Sequence, residues 1–352
     1  MVLYGTVHEL RDDVDGREQS YLIERDITPS TTRSYVYCLS KFLNYLEYCH
    51  IKHDTPNLHS SNTCSQKFIN HYLNHELSSQ LDSVSSLETH ASALQAYFNF
   101  LVSIGIASTV KLRIFRKTRQ SIAERSSKQF YIQYVSRYWR LELLNSCQTL
   151  AEKLMIRLGY EVGLRTSELM GLRVSGVNSL TSLFNQLDSP ESASINHFKY
   201  KLEGRYTKNG RSRYIYLDSV LLEDMKRYFY TERHQASMKA KTRDGSFFLR
   251  TDQRFMGTGI GPEQGTRVFS RRSKEAGLNP LQSYHDLRHT FATELFHSEL
   301  DNNEGRETRS ESAALIVVAQ RLGHSISRNG QAPAVTTRYI RMRLQMLEIE
   351  ES

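Results

Sequence analysis

Apolar residues return every three or four positions along most of this chain, and that period commits it to amphipathic helices. From Tyr35 they fall at Leu39, Phe42, Leu43 and Leu46. A second run carries Phe68, Ile69, Tyr72, Leu73 and Leu77, and a third, over 84–102, carries Leu87, Ala91, Leu94, Tyr97, Phe98 and Leu101. Thr28-Pro29-Ser30-Thr31-Thr32 supplies hydroxyls and an early proline where the first helix should begin. The pattern resumes over 138–172, and after residue 217 it continues with polar interruptions at 298–312 and 325–335. Six prolines and 18 glycines in 352 residues leave few breaks. The β signal is confined to two short runs, 197–202 and 214–217, around the turn sequence Lys208-Asn209-Gly210-Arg211. The expected fold is mainly α with one small β-hairpin.

The length suits two domains, each with its own core. Residues 1–27 are weakly patterned and read as an N-terminal extension. Residues 28–112 read as a small helical domain, and 135–352 as a larger second domain. Between them, 113–134 holds Arg113, Arg116, Lys117, Arg119, Arg125 and Lys128 with few apolar anchors. This is the linker candidate, either a solvated charged face or a basic segment lying along phosphates. The polar stretch 179–196 reads as a loop.

A net charge of +8 suits a polyanionic partner without naming it. Cys38, Cys49, Cys64 and Cys147 form no C-x-x-C pair and no zinc-like spacing, so they read as reduced packing residues. No signal peptide and no membrane-length apolar run is read from the sequence, so a cytoplasmic, nucleoid-associated protein with no membrane partner is expected.

Five short motifs carry candidate chemistry. Arg165 and Glu168 sit three apart in Gly163-Leu164-Arg165-Thr166-Ser167-Glu168-Leu169, which alone is an ordinary surface ion pair. Lys208 tops the hairpin, a compact cation able to protonate a leaving oxygen if desolvated, or simply a solvated turn lysine. His285 and Arg288 share one helical face, with His289 beside them on another azimuth. His324 follows Gly323, a natural helix C-cap, and should be exposed there. Tyr339 stands among Arg338, Arg341 and Arg343; as a nucleophile it needs help, because a free phenol is protonated at neutral pH.

Their order and relative spacing resemble the tyrosine recombinase (phage integrase) family, which includes Cre- and Xer-like site-specific recombinases. G-L-R-x-S-E-L is intact around Arg165. The run K-N-G-R-S-R-Y-I-Y-L from Lys208 is similar to the family's hairpin-lysine motif. H-x-L-R-H-T-F-A-T is intact from His285, L-G-H ends at His324 and T-T-x-x-Y at Tyr339. The match covers about 135–345, and the preceding helical region resembles the family's SAM-like core-binding domain more loosely.

The resemblance implies a two-domain DNA clamp and a catalytic set of Arg165, Lys208, His285, Arg288, His324 and Tyr339. The two arginines would grip the scissile phosphate and Tyr339 would attack it, forming a 3′-phosphotyrosyl link. Lys208 would protonate the departing 5′-oxygen, His285 would transfer the tyrosine's proton, and His324 would bond the phosphate. Glu168 and His289 would support the site. Arg116, Lys117, Arg119, Arg211 and Arg213 are the expected DNA contacts. No high-energy cofactor is implied, since the covalent link conserves bond energy, and no metal, since side chains supply the cations. The implied partners are duplex DNA with paired recombination sites, further copies forming a tetramer, and a partner recombinase or accessory DNA-bending protein. The apolar residues after Tyr339 would dock on a neighbouring copy, the other reading being a tail packed on its own domain. The segments 179–198, 298–312 and 325–335 are longer than a compact member needs. A catalytically silent DNA-binding protein and a type IB topoisomerase are the alternatives.

Overall fold

The computed structural model describes residues 5–14, 17–53, 63–125, 134–176, 178–208, 210–301, 310–324, 326 and 334–351. It falls into two compact units, Met1–Tyr131 and Ile132–Ser352.

In the first unit, Gly5–Val14 (β1) and Arg17–Asp26 (β2) pair antiparallel, with Gly5 opposite Asp26. The sequence reads as a weakly patterned extension here because charged residues interrupt any apolar alternation; the structure makes it a long ribbon. Helix α1, Pro29–His53, starts where Thr28 Oγ1 accepts the Thr31 N–H at 3.2 Å. It buries Cys38, Phe42, Leu46 and Cys49, one face at helical spacing. Ser65 caps α2, Gln66–His71, which runs on through a wider π turn, Tyr72–Leu77. Helix α3 spans Val84–Ser103, and β1 lies along it. Phe42 sits between Tyr72 and Phe98, with ring centroids at 5.1 and 6.1 Å.

The segment after α3 is not a free linker as far as residue 125. Gln66, Asn70 and Asn74 stand at i, i+4 and i+8, and their side-chain oxygens accept the N–H groups of Lys111, Arg113 and Phe115 at 2.9, 2.9 and 2.7 Å. Four helical residues rise about 6 Å and two extended residues about 6.6 Å, so the two repeats stay in step. From the other side, Gln95 bonds the Val110 carbonyl and the Leu112 N–H. Arg116–Arg125 then forms α4, which buries Ile122 and turns Arg125 onto the Ser78 carbonyl at 2.8 Å.

The second unit opens with α5, Arg137–Ser146, and α6, Leu150–Glu161, whose Leu154, Ile156 and Leu158 are fully buried. A 3₁₀ turn, Thr166–Gly171, follows. The stretch 179–196 is not the loop its polarity suggests. Leu180–Leu187 is a capped helix, α7, that buries Leu180, Leu183 and Phe184. The expected hairpin is present as His197–Leu202 (β3) and Arg213–Asp218 (β4), with Leu202 opposite Arg213. Asp218 caps α8, Ser219–Tyr228, which passes through a π turn into α9, His234–Ala240. Helices α10, Gln264–Glu275, and α11, Tyr284–Leu300, complete the wall around α6. Helix α12 is Glu311–Leu322 and α13 is Ala334–Glu351.

The apolar residues after Tyr339 were expected on a neighbouring copy. Here Met342 and Met346 are buried against Phe296, Leu315 and Val318 of their own unit, because α11 and α12 leave an apolar groove that α13 fills. Leu344 points away and is exposed. Most of 302–309 and 325–333, where two of the long segments fall, lies outside the described residues. All four cysteines are buried and unbridged. Among the described residues, no helix is long and apolar enough to cross a membrane.

Candidate functional site

The motif residues from separate parts of the chain meet around one carboxylate. Glu168, with no exposed surface, bonds Arg165 at 2.9 Å and Arg213 at 2.8 Å, and lies 3.5 Å from Arg288. Its second role is local: the carboxylate also accepts the Arg165 backbone N–H at 2.9 Å, which closes the start of the 3₁₀ turn. Burial alone would raise the Glu168 pKa; the guanidiniums of Arg213, Arg288 and Arg165 outweigh it and hold the carboxyl below its usual range.

Each arginine reaches this point from a different element. Arg165 follows Gly163, whose φ of +70° ends α6 in a left-handed turn. A side chain there would also strike Phe291, 2.4 Å from an ideal Cβ. Arg288 comes from the first turns of α11, where Ser283 and Asp286 bond each other reciprocally as a capping pair. It is 2 % exposed; one arm meets the Gly163 carbonyl and the other the Leu322 carbonyl at 2.6 Å. Arg288 therefore ties the ends of α6 and α12 together, and it contributes charge from the floor of the site. Arg165, with 23 % of its side chain exposed, is the guanidinium at the surface.

Arg213, expected on DNA, is instead buried. It stands on the inward face of β4 with Ile215 and Leu217, and bonds Glu168 and the Arg321 carbonyl. Strand alternation places it inward, a signal present in the sequence and outweighed there by the residue's charge. Three guanidiniums thus share one carboxylate, and the excess positive charge suits an anion such as a phosphate diester.

His324 stands just past the α12 cap. Gly323 takes φ +68°, and the His324 N–H bonds the Ala319 carbonyl at 2.8 Å. The imidazole is half-buried rather than fully exposed. Desolvation first, then Arg288, Arg165, Arg213 and His285, push its pKa down to about 4. It is neutral at pH 7 and keeps one N–H to donate. His285 is exposed on the first turn of α11, and its ring meets that of buried His289 edge-on, centroids 4.6 Å apart.

Lys208 is exposed on the turn between the strands. Arg211 is exposed nearby and lines a cleft of about 390 Å³ with Tyr216, Arg321 and His324. Arg321 stacks over Tyr216, its guanidinium 3.7 Å from the ring centroid, a contact that the sequence reading missed. Tyr339 belongs to α13, and its side chain lies outside the described residues. In the other unit, Arg116, Lys117 and Arg119 are exposed along α4, where Arg119 pairs with Glu88 at 3.2 Å. Among the described residues, no group of three or more His, Cys, Asp or Glu is arranged to hold a metal ion.

Comparison with known proteins gives this arrangement a setting. Residues 140–304 match the phage integrase family and residues 18–105 the N-terminal SAM-like domain of phage integrases. The chain is 24 % identical to the tyrosine recombinase XerC of Anoxybacillus flavithermus over 86 % of each protein. It is also 24 % identical to the tyrosine recombinase XerA of Pyrococcus horikoshii, over 77 % of this chain and 76 % of that one. In fold it is similar to the XerH site-specific recombinase bound to its difH substrate, with a TM-score of 0.59, 16 % identity and coverage of 90 % and 78 %. A lambda integrase dimer on a core site gives a TM-score of 0.52 at 13 % identity, covering 90 % of this chain and 72 % of that one. With both of its units matched, the chain belongs to the tyrosine recombinase (phage integrase) family.

Proposed function

We propose that this protein is a site-specific DNA recombinase that cuts and rejoins strands through a 3′-phosphotyrosyl intermediate. The observation that carries the reading is the Glu168-centred cluster: three guanidiniums on one carboxylate, beside a neutral histidine. In this reading a scissile phosphate sits over Arg165, with Arg288 beneath it. The Tyr339 oxygen attacks phosphorus, the bond to the 5′-oxygen breaks, and the phenolic proton passes to His285. Lys208 protonates the departing 5′-oxygen, so charge and protons balance within the site. His324 donates to a phosphate oxygen as charge builds in the transition state. Reversal by a second 5′-hydroxyl rejoins the strands without a high-energy cofactor.

The exposed basic face of α4 fits contact with the DNA backbone outside the cleavage point. Recombination joins two sites, so the functional assembly is a tetramer on paired duplex sites, as in integration or excision of a mobile element. The decisive experiment uses a nicked suicide duplex carrying a core site that the protein itself selects from a random-sequence library. The wild type should accumulate a covalent protein–DNA adduct. Tyr339→Phe should bind the same duplex and form none; adduct in that variant rejects Tyr339 as nucleophile. Absence of adduct with the wild type, alongside tight binding, supports the silent accessory reading instead.

A further inference from the structure

Arg213 has a position that direct DNA contact does not explain. It is buried at the root of the turn that carries Lys208, and its two arms hold two other parts of the site. One arm bonds Glu168 at 2.8 Å and the other bonds the Arg321 carbonyl at the end of α12. Its aliphatic stem fills the space where a Gly323 side chain would be, with Cδ 2.6 Å from an ideal Cβ.

The turn above it is closed on itself. Thr207 Oγ1 bonds the Gly204 and Arg211 carbonyls, both at 2.9 Å, and Ser212 Oγ accepts the Gly204 N–H at 3.0 Å. A Cβ on Gly204 would lie 2.1 Å from the Gly210 carbonyl oxygen, so the two limbs of the turn touch. A turn braced internally moves as one piece, and its placement is set at its root.

We propose that Arg213 is a positioning residue for strand cleavage: by gripping Glu168 and the α12 carboxyl end together, it fixes the Lys208 turn over the arginine cluster. The inference rests on the proposed role of Lys208 as the acid for the 5′-oxygen. Removing Arg213 should therefore damage leaving-group protonation more than DNA binding.

The test compares two suicide duplexes that differ only at the scissile linkage, one with the natural 5′-oxygen and one with a 5′-bridging sulfur. A thiolate leaves without a proton, so a defect acting through Lys208 should disappear on the sulfur substrate. Arg213→Met, at saturating protein, should slow adduct formation about 100-fold on oxygen, a typical general-acid contribution, and only about threefold on sulfur, with DNA affinity nearly unchanged. Arg213→Lys keeps a buried cation but has no second arm, and should show the same selective loss; it serves if the Met variant does not fold. Equal losses on both substrates overturn the proposal, as does wild-type behaviour of Arg213→Lys. Weaker binding with a shallower salt dependence also overturns it, by returning Arg213 to the phosphate backbone. Lys208→Ala, run alongside, separates the two ideas. If it shows no sulfur rescue, the Lys208 assignment fails; if it does and Arg213→Met does not, only the Arg213 inference fails.

Discussion

Arg165 and Glu168 hold each other twice: the carboxylate accepts both the Arg165 backbone N–H and its guanidinium, each at 2.9 Å. The surface guanidinium is thereby fixed at its root and near its tip. Glu168 is also the shared counter-charge for Arg213 and Arg288, so its loss leaves three buried or half-buried cations facing one another. Glu168→Gln should destabilise the second unit by about 3 kcal/mol, the usual cost of breaking a buried pair from one side. The sign with pH follows from the lowered carboxyl pKa: the contribution is complete above the unfolded value, about 4.3, and fades as pH falls below it. Urea titrations from pH 7 to pH 3 should show the variant's deficit shrinking on the acid side. A deficit that is constant with pH, or below about 1 kcal/mol, would falsify this account of the carboxylate.

His324 gives a prediction at milder pH. The folded chain holds it neutral down to about pH 4, through desolvation first, then the cations of Arg288, Arg165 and Arg213, and last the neighbouring His285. The unfolded chain protonates a histidine near 6.5. Between those values the unfolded state binds the extra proton, so stability falls as pH drops through the window. Replacement by Asn should flatten that slope. By NMR the His324 ring should titrate near pH 4 in the free protein, and higher once a DNA phosphate offsets the arginine field. A free-protein midpoint near 6.5 would contradict the electrostatics.

The C-terminal helix is held to its own unit by polar contacts as well as by methionines. The Tyr134 hydroxyl lies 2.8 Å from Glu350 and 3.0 Å from Glu294, while Glu294 already receives both arms of Arg140. Glu350 also accepts the Arg137 N–H at 2.9 Å. Tyr134→Phe removes one bond from this latch, worth about 1 kcal/mol. Amide exchange over 342–350 should then quicken roughly five- to tenfold, with α11 amides unchanged. Equal acceleration in both helices would mean that the hydroxyl supports the whole unit rather than the tail.

Contiguous motifs made much of the site legible in the sequence. Arg165 and Glu168 are three apart, and so are His285 and Arg288; Gly323 announces the cap before His324. What stayed hidden depends on contacts across long separations. Arg213 reads as a hairpin cation by its charge, while its alternation with Ile215 and Leu217 turns it inward. Helix α7 was hidden because its apolar set, Leu180, Leu183, Phe184 and Leu187, is short and sits in polar surroundings. The β1–β2 ribbon has charged residues where strand patterns need apolar ones. The basic segment after α3 looked unanchored, since its anchors are amide side chains about 40 residues away.

Those amides supply the last prediction. Asn74 accepts the Phe115 N–H at 2.7 Å and donates to the Arg113 carbonyl at 2.7 Å and the Asn70 carbonyl at 2.8 Å. It is buried, so no water replaces these bonds at the same strength. Asn74→Ala leaves the Phe115 N–H and Arg113 carbonyl without this partner, at a cost of about 2–3 kcal/mol. Asn74→Asp restores the acceptor and loses the donor, so it should recover part of the deficit. Gln66→Ala breaks the opposite, exposed end of the ladder and should cost less than about 1 kcal/mol. Helix α4 follows directly on Phe115 and buries little besides Ile122. Loosening the ladder at Asn74 should therefore expose the α4 backbone to protease before the rest of the first unit unfolds. If cleavage in α4 tracks global unfolding in every variant, the ladder does not act as the hinge pin of that helix.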